Sequence, residues 1–286
     1  QNLLDATDHW HLDLDDAADL AGLPATALAL ARQSAASAGQ SGWRFTLQAP
    51  SYLPFMMFSD RRELRQQMYE AFVTRASDTG PDGGRWDNGE LMVQILALRS
   101  EMVQLLGFAS FADYALADRM ATSVAEVNGF LDDLVGRTRA LAQRELDELR
   151  DYVLNVHGLT ALEAWDIPYY AEKLKQSRYA FNDEDVRPYF PLPRVLEGLF
   201  DVAHRLFGVT VKSATVEQVW HPDVSFFHIL DADGELRGRF FLDLYARKHK
   251  RGGAWMADCI GRCRIGLGAL QVPAAFLTCN FPPPVD

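Results

Sequence analysis

Phe207-Gly208-Val209-Thr210-Val211 is where the hydrophobic period of the chain turns over. Before it, Val195 to Phe207 repeats apolar residues at helical spacing, entered through Pro191-Leu192-Pro193 and stopped by Gly208. After it the apolar runs are short, alternating and rich in β-branched and aromatic residues, which is strand spacing. The chain therefore divides by period into a helical region, 1–208, and a small β-sheet region, 209–286. The expected fold is mainly α, a multi-helix lobe followed by a small sheet in the last third.

Outward from Gly208 toward the C-terminus, Val209-Thr210-Val211 and Val216 to Trp220 are expected as short strands. Val224 to Leu230 and Leu236 to Tyr245 flank Asp231-Ala232-Asp233-Gly234-Glu235, a β-hairpin with Gly at the positive-φ position. The same five residues faintly resemble a calcium loop but are too short and lack the remaining ligands. A basic loop follows, Arg247-Lys248-His249-Lys250-Arg251, and then Gly252-Gly253-Ala254-Trp255-Met256. Ala274 to Cys279 is the last expected strand. Phe281-Pro282-Pro283-Pro284-Val285-Asp286 is expected to be neither helix nor central strand.

Toward the N-terminus the chain reads as helix after helix. Asp60-Arg61-Arg62-Glu63 has capping-box spacing and opens a helix through Met68, Phe72 and Arg75. Asp87-Asn88-Gly89-Glu90 repeats the device before Leu91, Ile95, Leu98, Met102 and Leu105, which share one face, and Gly107 supplies the stop. Gly80-Pro81-Asp82-Gly83-Gly84 links the two. Ser123-Val124-Ala125-Glu126 starts a long helix to about Val156, near ~50 Å in length. Its Val127, Phe130, Leu131, Leu134, Leu141 and Leu149 are expected as a buried stripe. Asp166-Ile167-Pro168 opens another helix, with Asp at the cap and Pro in the first turn.

Composition narrows the function classes. The 286 residues carry 48% hydrophobic and 23% charged residues, a globular balance. The net charge of −11 argues against nucleic acid as the main partner, since phosphate binding needs surplus Lys and Arg. Asp5, Asp8, Asp13, Asp15, Asp16 and Asp19 make the opening an acidic, solvated face. No apolar run approaches the ~20 residues that span a bilayer, so no membrane partner is expected. Gln1-Asn2-Leu3-Leu4-Asp5 shows no targeting pattern. Cys259, Cys263 and Cys279 are too few for a disulfide framework, which fits a reducing, cytoplasmic setting. Cys259 and Cys263 are four apart and could share a helical face, and a buried or boundary role is expected for them.

The seven histidines are His9, His11, His157, His204, His221, His228 and His249. No two have i, i+4 spacing, so the chain has no HExxH zinc motif, and no metal ligand or catalytic residue is assigned. His204 is expected in core or at its boundary, and His221 in a positioning hydrogen bond. GxSxG, Walker and dinucleotide-binding glycine patterns do not occur either. Gly252-Gly253-Ala254-Trp255 stands out. Two glycines ahead of a short strand let another backbone come close, and the basic loop before them would attract a peptide carboxylate.

Several stretches together resemble the oligopeptidase A/thimet oligopeptidase family of zinc metallopeptidases. They are Pro50-Ser51-Tyr52-Leu53-Pro54, Thr74-Arg75-Ala76-Ser77-Asp78, Trp165 to Lys173, Arg187-Pro188-Tyr189-Phe190-Pro191 and Val219 to Val224. The most specific are Phe241-Leu242-Asp243-Leu244-Tyr245-Ala246-Arg247 and Arg251-Gly252-Gly253-Ala254-Trp255-Met256, with Leu277-Thr278-Cys279-Asn280-Phe281 closing the set. The order and spacing agree along essentially the whole chain.

The resemblance implies part of a two-lobed, zincin-like oligopeptidase whose deep channel admits short peptides. It implies zinc in the full-length parent, held by two His of HExxH and a distant Glu, with the motif's own Glu activating water. Those residues would follow the Cys279-Asn280-Phe281 strand, so the chain is expected to be a truncated segment, inactive by itself, whose partners are short peptides and the missing catalytic segment. The residues carried over are Gly252, Gly253, Ala254 and Trp255. They would form a substrate-binding edge strand beside the zinc helix, with Trp255 anchored in the core beneath. The alternative is a non-catalytic peptide-binding or scaffold remnant.

Overall fold

The structure is a computed structural model that describes residues 1–266 and 268–284. In chain order its helices and strands begin with α1 (Asn2–His9), β1 (His11–Leu14), α2 (Ala25–Ser37), β2 (Trp43–Thr46), α3 (Ala49–Phe58) and α4 (Arg62–Val73). Next come α5 (Gly89–Leu105), α6 (Phe111–Leu116), α7 (Val124–His157), α8 (Ile167–Tyr179), α9 (Asp183–Val186) and α10 (Leu192–Phe207). The rest is strand: β3 (Thr210–Ser213), β4 (Ser225–Leu230), β5 (Leu236–Tyr245), β6 (Trp255–Ile260), β7 (Cys263–Arg264), β8 (Leu270–Gln271) and β9 (Ala274–Phe281). Helices hold about half of the chain, and a mixed five-stranded sheet fills its C-terminal part.

The chain forms two compact units. One joins Gln1–His9 to Arg62–Arg178, and the other joins Trp10–Arg61 to the segment from Tyr179 onward. This grouping cuts across the period boundary at Gly208.

The first unit is helical. The expected boundaries of α7 hold because its ends are chemically marked. Ser123 accepts from the Glu126 N–H, Glu126 accepts from the Thr122 N–H, and Gly158 takes a left-handed conformation at the other end. The expected buried stripe does not form along its length. Phe130 is 66% exposed and Leu141 49%, whereas Leu149 and Val153 are buried. Only the last part of α7 meets a partner, where Leu149 and Val153 pack with Tyr169 and Tyr170 of α8. The apolar face of α5 is likewise open: Leu91, Ile95, Leu98 and Leu105 are all exposed, and Val103 is buried.

Asp166 was expected as a helix cap. It holds the cap position, its carbonyl accepting the Tyr170 N–H at 3.0 Å, while its fully buried carboxylate takes Arg62 Nη2 at 2.7 Å, Arg65 Nη2 at 3.0 Å and the Glu163 N–H at 3.1 Å. Arg65, 1% exposed, also lies over the Tyr169 ring. Burial pushes the Asp166 carboxyl up, but Arg62, the Glu163 N–H and Arg65 together hold it below the usual range.

In the second unit β1 and β2 pair antiparallel, a sheet not expected before Gly208. Leu12, Leu14 and Phe45 turn inward, and Phe45 meets Phe55 of α3 edge-on at 4.8 Å. The larger sheet has the order β3-β4-β5-β9-β6, with β5 and β9 parallel and every other pair antiparallel. Gly234 at φ 83° makes the expected β4–β5 hairpin turn, fastened by Asp231, which accepts from the N–H groups of Asp233 and Glu235.

Alternation gives the sheet two unlike faces. On one, Phe227 and Phe240 stack beneath Phe200 of α10. On the other, Phe226, Phe241 and Phe276 form an aromatic row with Trp220, whose ring centres lie 4.6 to 5.4 Å apart.

Four local expectations are corrected. Val216–Trp220 is not a strand, because Trp220 lies across the sheet face and is held there by its aromatic neighbours. Phe281 does belong to a central strand, pairing with Tyr245, and the prolines begin only after it; Val285 and Asp286 lie outside the described residues. Cys259 and Cys263 share no helix and are exposed, not buried, since they sit on β6 and β7. His204 is exposed, with Nδ1 3.0 Å from the Val209 carbonyl oxygen. The positioning bond expected at His221 is present, its Nδ1 accepting from the Asp223 N–H at 3.3 Å.

Candidate peptide-binding site at the head of the edge strand

Asp243 is the fixed point of the site. It sits near the end of β5 on the aromatic-row face and is 4% exposed. Its carboxylate accepts Arg247 Nη1 at 2.6 Å and Nη2 at 2.8 Å, Lys250 Nζ at 2.8 Å and Trp220 Nε1 at 2.8 Å. Lys250 also donates to the carbonyls of Asp243, at 2.9 Å, and Tyr245, at 2.7 Å. A buried ammonium with three oxygen partners is satisfied, so the chain after β5 folds back over the sheet and stays there. Burial raises the Asp243 carboxyl, but hydrogen bonds from Arg247, Lys250 and Trp220 outweigh it and hold the group far below the usual carboxylate range. Arg247 is raised in turn by its bond to Asp243.

The far end of the loop is fastened from β9. Asn280 Nδ2 donates to the Arg251 carbonyl at 3.1 Å and to the Gly253 carbonyl. Between the anchors the backbone makes two left-handed turns, His249 at φ 64° and Gly253 at φ 104°. At Gly253 a side chain would be strained. Gly252 is different, since a Cβ there would meet nothing within 4 Å.

The expected strand over Gly252 to Trp255 is shorter than anticipated. Gly252, Gly253 and Ala254 are exposed loop, and only Trp255 enters β6, as its first residue. Trp255 is not anchored in the core either. It is 36% exposed and shares the wall of a cavity of about 490 Å³ with Trp220, Arg247, Lys248 and Arg251. The physical reason is register: Trp255 pairs with Thr278 and so lies on the same face as Asp243, where the cavity is. β6 pairs with β9 on one side and is the last strand of the sheet among the described residues.

The sequence pointed to the four residues and the basic loop. It did not show that Asp243, Trp220, Lys250 and Asn280 hold them. The available signal was an acidic residue on an apolar strand followed by Arg at i+4 and Lys at i+7. Among the described residues no three His, Cys, Asp or Glu converge as a metal site. No helix of the described residues is long and apolar enough to cross a membrane.

Residues 55–286 match the family model described as Peptidase family M3. The chain belongs to that family. It is 50% identical over 285 residues to oligopeptidase A of Salmonella typhimurium, covering 100% of this chain and 42% of that protein. Oligopeptidase A of Haemophilus influenzae is 49% identical over 284 residues, covering 99% of this chain and 42% of the relative. The Escherichia coli oligopeptidase A is 50% identical over 285 residues, with 100% and 42% covered. The chain thus spans about two-fifths of the length of these curated family members.

Proposed function

We propose that this chain forms helical walls and the substrate-side sheet of a zinc oligopeptidase that hydrolyses short peptides. The observation that carries the reading is β6, an edge strand whose entry loop, Gly252-Gly253-Ala254, is exposed and pinned at both ends. An extended peptide laid along that edge would exchange backbone hydrogen bonds with it and be gripped without regard to its side chains. The names of the relatives, oligopeptidase A, agree with such a ligand.

The zinc that the family resemblance implies does not fit the residues of this chain. The sequence has no HExxH, and no donor set converges among the described residues. No catalytic step is therefore assigned through the metal, and the part given to this chain is to hold and orient peptide. On this reading the 286-residue chain alone does not cleave peptides. Further polypeptide of the same protein would cover the open apolar faces of α5 and α10, and the three free thiols suit the cytoplasm.

The test is steady-state kinetics on a short peptide, using a family-length protein that carries this sequence. Ala254→Pro removes one backbone donor at the head of β6. With metal content and Tm matched to the parent, kcat/KM is expected to fall about 2- to 13-fold, the worth of one net hydrogen bond. An unchanged kcat/KM would leave the strand a purely structural role. Peptide binding without any hydrolysis would favour the non-catalytic scaffold.

A further inference from the structure

We propose that the cavity under the 247–253 loop is a carboxylate-recognition site, in which Lys248 and Arg251 select peptides that end in a free α-carboxylate. The charge distribution is the starting point. The chain carries a net charge of −11, yet Arg247, Lys248, Lys250 and Arg251 fall within five consecutive positions. An acidic protein repels acidic ligands over most of its surface, so a concentrated basic cluster marks where one can approach.

The structure divides these four cations into two pairs. Arg247 and Lys250 are committed to Asp243 and are the scaffold of the loop. Lys248 and Arg251 are exposed, border the cavity and have no carboxylate partner among the described residues. The Arg251 guanidinium carbon lies 5.9 Å from the centre of the Trp255 ring, at the outer reach of cation–π attraction, so its N–H groups are available to a ligand. The lining carries four cations and the Asp243 carboxylate, and although Asp223 also acts on Arg247, the cations remain in excess.

The remaining walls decide which anion fits. Trp220, Trp255 and Phe276 supply aromatic surface beside the cations. A bare phosphate would gain nothing from it, whereas the side chain next to a peptide's terminal carboxylate would be covered by it. The volume of about 490 Å³ is within the range of small-ligand pockets, ~300–1,000 Å³, and suits the last two residues of a peptide. Because Asp243 and Asn280 fix the loop at both ends, Lys248 and Arg251 are presented on a held backbone.

The inference rests on the peptide-binding reading above, and equilibrium binding separates the two. The probes are an N-acetylated hydrophobic dipeptide as its free acid, the same dipeptide as its C-terminal amide, and inorganic phosphate. Binding to the whole chain is followed by calorimetry and by the fluorescence of the cavity indoles. The acid is expected to bind about 3- to 10-fold more tightly than the amide at low salt, with the preference shrinking as salt rises. The double variant Lys248→Gln/Arg251→Gln should bring acid and amide within about twofold. Lys212→Gln, an exposed cation on β3 at the opposite edge of the sheet, should change nothing. Equal affinity of the acid and amide for the parent chain overturns the inference alone, as does a preference that survives the double variant. Phosphate competing as strongly as the acid overturns the choice of carboxylate. If neither dipeptide binds, the peptide-binding reading falls with it.

Discussion

The Asp243 carboxylate and the Lys250 ammonium are 2.8 Å apart, and both side chains are 6% exposed. Six residues lie between them: Leu244 and Tyr245 complete β5, and residues 246–249 must turn back so that the two can meet. The ion pair is therefore what shapes the 247–253 loop and, through it, the wall that Trp255 shares with Lys248 and Arg251.

Asp243→Asn should be strongly destabilising. It leaves Lys250 and Arg247 facing a neutral amide, and stripping one partner from a buried ion pair typically costs about 3–5 kcal/mol. Urea unfolding of the whole chain measures this directly. A loss below about 1 kcal/mol would mean that the network is not desolvated in solution.

The same pair sets an acid limit. The folded-state Asp243 carboxyl is depressed below its unfolded value, so the stabilisation is fully present above the ordinary aspartate pKa, about 3.9, and is lost as pH falls toward the folded value. Asp166 is depressed as well and contributes in the same direction. Stability is expected to fall steeply below about pH 4, and less steeply in Asp243→Asn. Parallel acid limbs for the two proteins would contradict the assignment.

Asn280→Ala should free the loop while sparing the sheet. Two side-chain hydrogen bonds to the Arg251 and Gly253 carbonyls disappear, at about 0.5–1.5 kcal/mol each. Backbone NMR order parameters at Gly252 to Ala254 should fall, with those of β5 and β9 little changed. A uniform fall through the sheet would show that Asn280 supports the fold as a whole.

The isolated chain should bind a hydrophobic dye. Leu91, Met92, Val93, Ile95, Leu96 and Leu98 of α5 are all exposed, a larger apolar display than isolated surface residues give. Leu96→Gln/Leu98→Gln should lower the dye signal with little change in Tm, because neither side chain is buried. A dye-negative parent chain would show that this face is covered in solution.

Much of the architecture was written in local chemistry. Ser123 and Glu126 fixed where α7 begins, Gly158 and Gly208 fixed where α7 and α10 end, and Asp231 with Gly234 fixed the β4–β5 hairpin. Each signal acts over a few residues, so sequence alone carries it. The β1–β2 pair escaped notice because its strands, His11–Leu14 and Trp43–Thr46, are four residues each and lie on either side of α2. So brief an alternation becomes a strand only when its partner is in place.

The sequence by itself determined the family, the helix boundaries, the strand-rich C-terminal part and the position of the basic loop before Gly252. Only the tertiary structure decided what those residues do to one another. It brought Trp220 across the sheet to Asp243, spent Arg247 and Lys250 on that carboxylate, and left Lys248 and Arg251 on the cavity rim. It also turned Trp255 to the cavity face through its pairing with Thr278. Burial and strand register settle such choices, and both depend on residues far apart in the chain, where spacing and period have no reach.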